Sequence, residues 1–584
     1  MDKAVRIGTE EESQPSMVKR IQRETWKQYL PGGSYWQNAN AAMLAEVAVL
    51  LVFTTLFIFY GLVPLLGGSV LGLVGADEPR YAQVAREMLA RHDYVTPILY
   101  GKPWLEKPAL YYWRAMFAFK EFGVHDWSAR LPSASFAFAL ILLIYLHMRR
   151  FRFGGQLEAA LITVSCVGIV SFARGASTDM QLAAPFCIGM LGWYAWYETN
   201  KKFWLFDLYF FVGAATLAKG PVAPAMAFCI IFLFTALRRE WSLLRRTIWL
   251  PGVVLYLAMV LPWFIAVQHR NPQFLRVFFL QHNLERFATD RFHHTQPLWY
   301  YLPVICVALL PWTVIACSAL ADAIRSSLDE WRVRCAPHRY VGTPRAGDAF
   351  PEFLVLWAVF PVLFFSFSQS KLPGYILPSI PPITILTGDY LNRIRKRGLH
   401  PWLLLAHAGT AGLLVFTALI FPHVLVHPHA MPPVQVLVAA GMIALAFTIA
   451  IPVVVLRYGT ERLRIATLIP VLLALVFLLG TRNGPLLDQI YSARALAAQI
   501  SAIPNAPPLV CVDDTRRDVW YGLAFYRNQP IPSYGEDGVP AAEHIVVVSE
   551  RAVPTLRTTL AGRQYEPLFG YAAQNLVVYR VFAK

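Results

Sequence analysis

Asp77-Glu78-Pro79-Arg80-Tyr81 follows the first long apolar run of the chain and sets two adjacent carboxylates and a guanidinium where a membrane helix ends. Carboxylates in such a place can orient a reactant or offset charge at a reacting centre, and a guanidinium suits phosphate. Downstream, Gly101-Lys102-Pro103-Trp104-Leu105-Glu106-Lys107-Pro108 holds a Glu-Lys pair between two prolines that fix the backbone. The short stretch Arg174-Gly175-Ala176-Ser177-Thr178-Asp179 ends in a carboxylate at the start of the next helix, where it could equally well cap orphan N–H groups. Lys219 and the segment Ser370-Lys371-Leu372-Pro373-Gly374-Tyr375 stand at the mouths of two further spans. The region from His269 to Leu298 adds Arg270, Arg276, His282, Glu285, Arg286, Arg291, His293 and His294. Glu106 and His282 are candidates for a divalent-metal pair, set against a simpler role in local hydrogen bonds.

The elements that must position these groups are membrane spans. The chain has 584 residues, 56% hydrophobic and 15% charged, which is too apolar for a soluble protein of this length. A crossing helix needs about 20 apolar residues. Runs at 43–66, 130–148, 157–174, 180–198, 203–218, 221–237, 247–268, 298–318, 352–368, 374–390, 402–426, 432–456 and 462–480 meet or approach that length. Lys and Arg recur in every second loop, from Lys19, Arg20, Arg23 and Lys27 to Arg457, Arg462 and Arg464, so the N-terminus is expected inside. About thirteen helices then place everything after Gly480 outside. The net charge of +16 is mostly this topology, and nucleic acid is not an expected partner. No cleavable signal peptide is expected, and Cys511 alone among the seven cysteines falls in the outer tail, so no disulfide framework is implied.

Cations that break the alternation are the informative ones, because an outer loop has no topological reason to hold them. Beside carboxylates at a membrane face they suit a phosphate-bearing lipid arriving laterally, with plain headgroup anchoring as the blander reading. The first outer loop, 67–130, shows Tyr81, Val84, Ala85, Met88 and Leu89 at helical spacing, which predicts an amphipathic helix on the membrane surface. A second apolar and aromatic stretch, Pro108 to Phe122, is expected in the interface as well.

Taken in order, Asp77-Glu78-Pro79-Arg80-Tyr81 with Arg86-Glu87-Met88, Tyr100-Gly101-Lys102-Pro103 to Glu106-Lys107-Pro108, Ser177-Thr178-Asp179, Lys219-Gly220-Pro221 and Lys371-Leu372-Pro373-Gly374-Tyr375-Ile376-Leu377-Pro378 resemble the bacterial 4-amino-4-deoxy-L-arabinose lipid A transferases. These belong to the protein O-mannosyltransferase-like branch of the GT-C glycosyltransferases. The resemblance implies a polytopic α-helical GT-C fold with interfacial helices in the first periplasmic loop and a small C-terminal α/β periplasmic domain. It implies transfer of the aminosugar from undecaprenyl phosphate to lipid A phosphate in the bacterial inner membrane, with the active site facing the periplasm and polymyxin resistance as the outcome. The residues it points to are Asp77, Asp179 and Lys107 as catalytic groups. Glu78, Arg80, Tyr81, Lys102, Glu106, Lys219, Arg270, Arg286, Lys371 and Tyr375 are expected to bind substrate. In-line displacement with inversion is expected, and a monomer.

Three parts are expected: a cytoplasmic segment 1–42, a catalytic membrane domain 43–482 and a periplasmic domain 483–584. In the last, Leu509–Val512, Ile545–Val548 and Leu576–Tyr579 read as buried strands, with helices near 490–502 and 552–561. A transporter of the lipid-linked sugar would want ionisable residues near the bilayer midplane and, often, inverted repeats, and neither is apparent. Protein O-mannosylation or another phospho-lipid glycosylation on the same fold is the closer alternative. The cationic stretch 269–298 favours an acceptor with several negative charges.

Overall fold

The computed structural model describes residues 33–68, 70–285, 296–335, 348–427 and 430–584, with side chains from residue 41 onward. Two compact units divide the chain, Met1–Val52 and Phe53–Lys584. The first is helical from Gly33, ten residues before the expected run, and the expected cytoplasmic segment up to 32 lies outside the described residues. Everything below concerns the second.

The protein is a multi-pass membrane protein. Among the described residues seven helices are long and apolar enough to cross a bilayer, or nine if two bent pairs count as one span each. The pairs are Gln156–Ser165 with Val167–Ala173, bent by 65°, and Leu298–Ala308 with Thr313–Arg334, bent by 116°. Helices Asp179–Thr199, Phe203–Lys219, Val222–Arg238 and Ile380–Ile394 occupy the other four apolar runs. Helix Thr313–Cys335 runs on past its apolar stretch into the region expected as a loop, helped by an exposed Asp329–Arg332 pair at 2.9 Å; residues 336–347 lie outside the described residues.

The end of the bundle that carries the first long loop is built on protein contacts. Helix Asp77–Ala90 buries Tyr81, Ala82, Val84, Ala85 and Met88 in one cluster with Tyr111, Tyr112, Ala115, Met116 and Phe119 of helix Leu110–Phe122 and with Phe525 of the tail. Its apolar stripe therefore packs onto neighbouring helices. Between the two helices the chain makes a hairpin, β1 (Ile98–Leu99) and β2 (Lys102–Pro103), turned by Tyr100 and Gly101 at φ +51° and +77°. Glu87 accepts both turn N–H groups, at 2.8 and 3.1 Å.

The tail forms a four-stranded sheet, β3 (Val510–Asp513), β4 (His544–Ser549), β5 (Tyr565–Tyr571) and β6 (Leu576–Val581), in the order β3-β4-β6-β5. Only β3 and β4 pair in parallel. The three buried strands coincide with the expected ones. The edge strand β5 escapes the pattern because Glu566, Pro567 and Gly570 interrupt its apolar alternation. Helix Arg517–Arg527, also unforeseen, lies between the sheet and helix Asp77–Ala90.

Arg494 fastens the tail to the loop. It donates to Asp126 Oδ2 at 2.8 Å, to Asp488 Oδ2 at 2.7 Å and to the Val70 carbonyl at 2.8 Å. Tyr526 adds its hydroxyl to Asp126 Oδ1 and accepts from the Leu73 N–H, both at 2.6 Å. Arg494→Ala is expected to cost roughly 1–3 kcal/mol of this attachment. Limited proteolysis of the purified protein should then cut the 483–584 part sooner than in wild type, leaving the bundle intact.

Candidate active site

Glu78 is the second residue of helix Asp77–Ala90 and is buried. Its Oε2 accepts from Arg130 Nη2 at 2.5 Å and from the Val74 N–H at 2.7 Å; its Oε1 accepts from Arg130 Nε at 3.2 Å and from the Ala176 N–H at 2.7 Å. Arg130 also donates to the Leu71 and Gly72 carbonyls, at 2.5 and 2.7 Å. The carboxylate thus accepts four hydrogen bonds and the guanidinium donates four, the well-paired condition under which a buried pair holds structure together. Glu78 joins the first loop to the Gly175–Ser177 turn and so sets Asp77 and Asp179 relative to each other.

Asp77, directly before it, has a side chain 57% exposed and accepts from Arg80. The Arg80 guanidinium, 11% exposed, lies 4.0 Å from Glu106 and over the rings of Trp104, Tyr81 and Tyr521, at 4.9, 5.4 and 5.5 Å. Burial works against its charge, but Tyr81, Asp77, Glu106 and Tyr521 together more than offset that and hold its pKa above the ordinary guanidinium value.

Asp179 opens helix Asp179–Thr199, and no side-chain cap closes that helix start. Its carboxylate instead takes the Lys219 ammonium, which lies 5.2 Å from the Tyr375 ring, and Lys107 stands close enough for its charge to act on the same carboxylate. Gly374 passes so near that a Cβ there would sit 2.5 Å from Asp179 Oδ1 and 2.9 Å from the Phe172 ring. Asp77, Glu78, Arg130, Arg174 and Asp179 line one cavity of about 590 Å³, walled on its apolar side by Leu62, Leu71, Leu475 and Leu479.

The structure thus gathers Asp77, Arg80, Tyr81 and Glu106 in one group and Asp179, Lys219, Tyr375 and Lys107 in another, with the two carboxylates Asp77 and Asp179 facing the same cavity. Three expected residues stand elsewhere. Arg270 pairs with Asp93 at 2.8 Å, beyond the far end of helix Asp77–Ala90 and so about 20 Å from Asp77. Lys371 is buried and donates to the Gln296 and Ser368 carbonyls, at 2.9 and 2.7 Å. Lys102 is exposed in strand β2. Arg286 and the side chain of His282 lie outside the described residues, and among the described residues no three His, Cys, Asp or Glu groups gather as metal ligands.

Two further arginines line the cavity without having been expected as site residues: Arg130, which the sequence reading passed over, and Arg174, which it quoted only at the head of the stretch ending in Asp179. Each is an arginine at the edge of an apolar run, which is itself a signal of a functional or paired charge. Arg174 donates to the Ile58 and Tyr60 carbonyls at 3.0 and 2.7 Å, closing the end of the first described span while facing the cavity.

Comparison with known proteins places this geometry. A family model described as dolichyl-phosphate-mannose-protein mannosyltransferase matches residues 106–265. The undecaprenyl phosphate-alpha-4-amino-4-deoxy-L-arabinose arabinosyl transferase of Serratia proteamaculans is 30% identical over 447 residues, covering 72% of this chain and 74% of that protein. Proteins of the same name from Pseudomonas paraeruginosa and Edwardsiella ictaluri are 32% and 29% identical, and the chain spans 60% and 61% of their lengths. A crystal structure of ArnT from Cupriavidus metallidurans bound to undecaprenyl phosphate superposes with a TM-score of 0.71 over 93% of this chain and 98% of that one, at 24% identity. The fold is therefore of the GT-C type.

Removing the Glu78 carboxylate strands Arg130 in a buried setting. Glu78→Leu is expected to lower stability by roughly 3–5 kcal/mol, and Glu78→Asp by less. Thermal denaturation of the detergent-solubilised protein, followed by size exclusion, measures both.

Proposed function

Because this chain belongs to the family of undecaprenyl phosphate-alpha-4-amino-4-deoxy-L-arabinose arabinosyl transferases, we propose that it moves 4-amino-4-deoxy-L-arabinose from undecaprenyl phosphate to a phosphate of lipid A. The observation that carries this reading is the cavity of about 590 Å³ that Asp77 and Asp179 share. Cations stand around it and apolar helix ends wall it, an arrangement suited to phosphates that arrive on lipid anchors.

In this reading an acceptor phosphate oxygen attacks the anomeric carbon in line. The bond from that carbon to the carrier phosphate breaks, configuration inverts, and undecaprenyl phosphate leaves. The acceptor is already anionic and needs no general base. Asp77 then orients the acceptor or the sugar amine and offsets charge at the reacting centre. Arg80, Lys107 and Lys219 hold the carrier phosphate and stabilise it as leaving group. Asp179 fixes the Lys219 ammonium. The bundle 43–482 is the catalytic part and 483–584 a periplasmic domain, the whole acting as a monomer in the bacterial inner membrane. Added aminosugar masks negative charge on lipid A and weakens capture of polymyxin.

Mass spectrometry of lipid A from a transferase-deletion strain tests this. Wild type should add a pentosamine to lipid A, and Asp77→Ala at equal expression should abolish it; no addition by wild type, with donor present, would point to another sugar or acceptor. Gly374→Ala, which drives a methyl into the Asp179 carboxylate, should cut the modification at least tenfold in the same assay while the protein still reaches the membrane.

A further inference from the structure

The mechanism above leaves the C-terminal sheet without work, yet that part of the chain reaches Arg80, the cation paired with Asp77. Helix Arg517–Arg527 packs along helix Asp77–Ala90, and Tyr521 sets its ring 5.5 Å from the Arg80 guanidinium carbon. Trp104, at 4.9 Å, is the other close ring outside Arg80's own helix. Tyr521 is itself held. It stacks on Trp520 with ring centroids 5.5 Å apart and planes 2° from parallel, and Trp520 donates its indole N–H to the Ile531 carbonyl at 2.7 Å. One turn along, Arg86 donates to the Phe525 carbonyl at 2.8 Å and to Asn528 Oδ1 at 2.9 Å, fixing the register of the two helices. An arginine side chain left to itself samples many rotamers, and a ring over its planar face removes most of them while favouring the charge.

We infer that Tyr521 is a positioning residue for the donor: acting through Arg80, it keeps the guanidinium aimed at the carrier phosphate, so the C-terminal domain completes the donor site. This rests on the donor reading proposed above. The effect is exerted through Arg80, on carrier binding and on leaving-group stabilisation alike, since Tyr521 touches the cation and not the reacting atoms.

The test uses the full chain in detergent with the undecaprenyl phosphate-linked aminosugar. Tyr521→Leu, which keeps bulk and loses the π face, should lower kcat/KM for this donor about three- to thirtyfold, the range for a cation over a partly desolvated ring, with KM raised and kcat falling no further than in Arg80→Met. Tyr521→Phe should restore the wild-type KM. In an Arg80→Met background, Tyr521→Leu should add nothing further. Independent, multiplying losses in that double variant would mean a general structural role and overturn the inference. Binding of undecaprenyl phosphate, read by native mass spectrometry, separates the two readings. Failure of wild type to bind sinks the donor assignment, whereas equal binding by wild type and Tyr521→Leu sinks only the role of Tyr521. Tyr521→Met takes the place of the leucine variant if the latter does not run as a single species.

Discussion

A buried ion pair between Glu78 and Arg130 is the constraint on which the site depends. Two charges removed from water are expensive unless every lone pair and proton is matched, and here the carboxylate accepts four bonds while the guanidinium also closes the Leu71 and Gly72 carbonyls. Satisfying them all admits one arrangement of three separate pieces: the start of helix Asp77–Ala90, the start of the span Asp126–Phe151 and the Gly175–Ser177 turn. Asp77 precedes the anchored residue and Asp179 follows the anchored turn. Asp77 and Asp179 are therefore both held in place by the same buried pair.

The opposite end of the bundle applies the same rule. Arg152 bridges Glu198 and Asp348, Arg238 and Arg334 converge on Glu352, and Arg395 and Arg464 meet at Glu158. These arginines supply the charge bias that orients the chain and also tie spans together across loops. A basic loop in this protein is a set of clasps as well as a topological signal.

Much of the frame was legible in the sequence because it is local. Apolar runs of span length, the helical spacing of Tyr81, Val84, Ala85 and Met88, and the β-rich runs of the tail each report on their own backbone. The ordered motifs pointed to Asp77, Asp179, Lys107 and Lys219. What stayed hidden depends on partners distant along the chain. Asp179 read equally well as a catalytic carboxylate or a helix cap, and only the fold shows Lys219, forty residues on, taking its carboxylate. Lys371 and Arg270 were expected to bind substrate, and the Gln296 carbonyl and the Asp93 carboxylate that the fold brings to them lie far off along the chain. Glu78 sits in the same motif as Asp77, and only the fold shows that, of these two cavity-lining carboxylates, Glu78 is the one that also holds the loops together. Helix Arg517–Arg527 mixes charge and aromatics, and it makes sense only against the helix it covers.

The clasp between tail and loop also orders assembly in time. Tyr526 bonds to Asp126 across 400 residues, and Asp488 accepts the Gly72 N–H across 416. At about 5–20 residues per second of synthesis, the first loop waits on the order of 20–80 s for the segment that covers it. During that wait the Arg80 side chain lacks one of its rings, and Leu73 and Gly72 lack their acceptors. The first loop is thus made long before the segment that encloses Arg80, and this end of the bundle is complete only when the last part of the chain has been synthesised and docked.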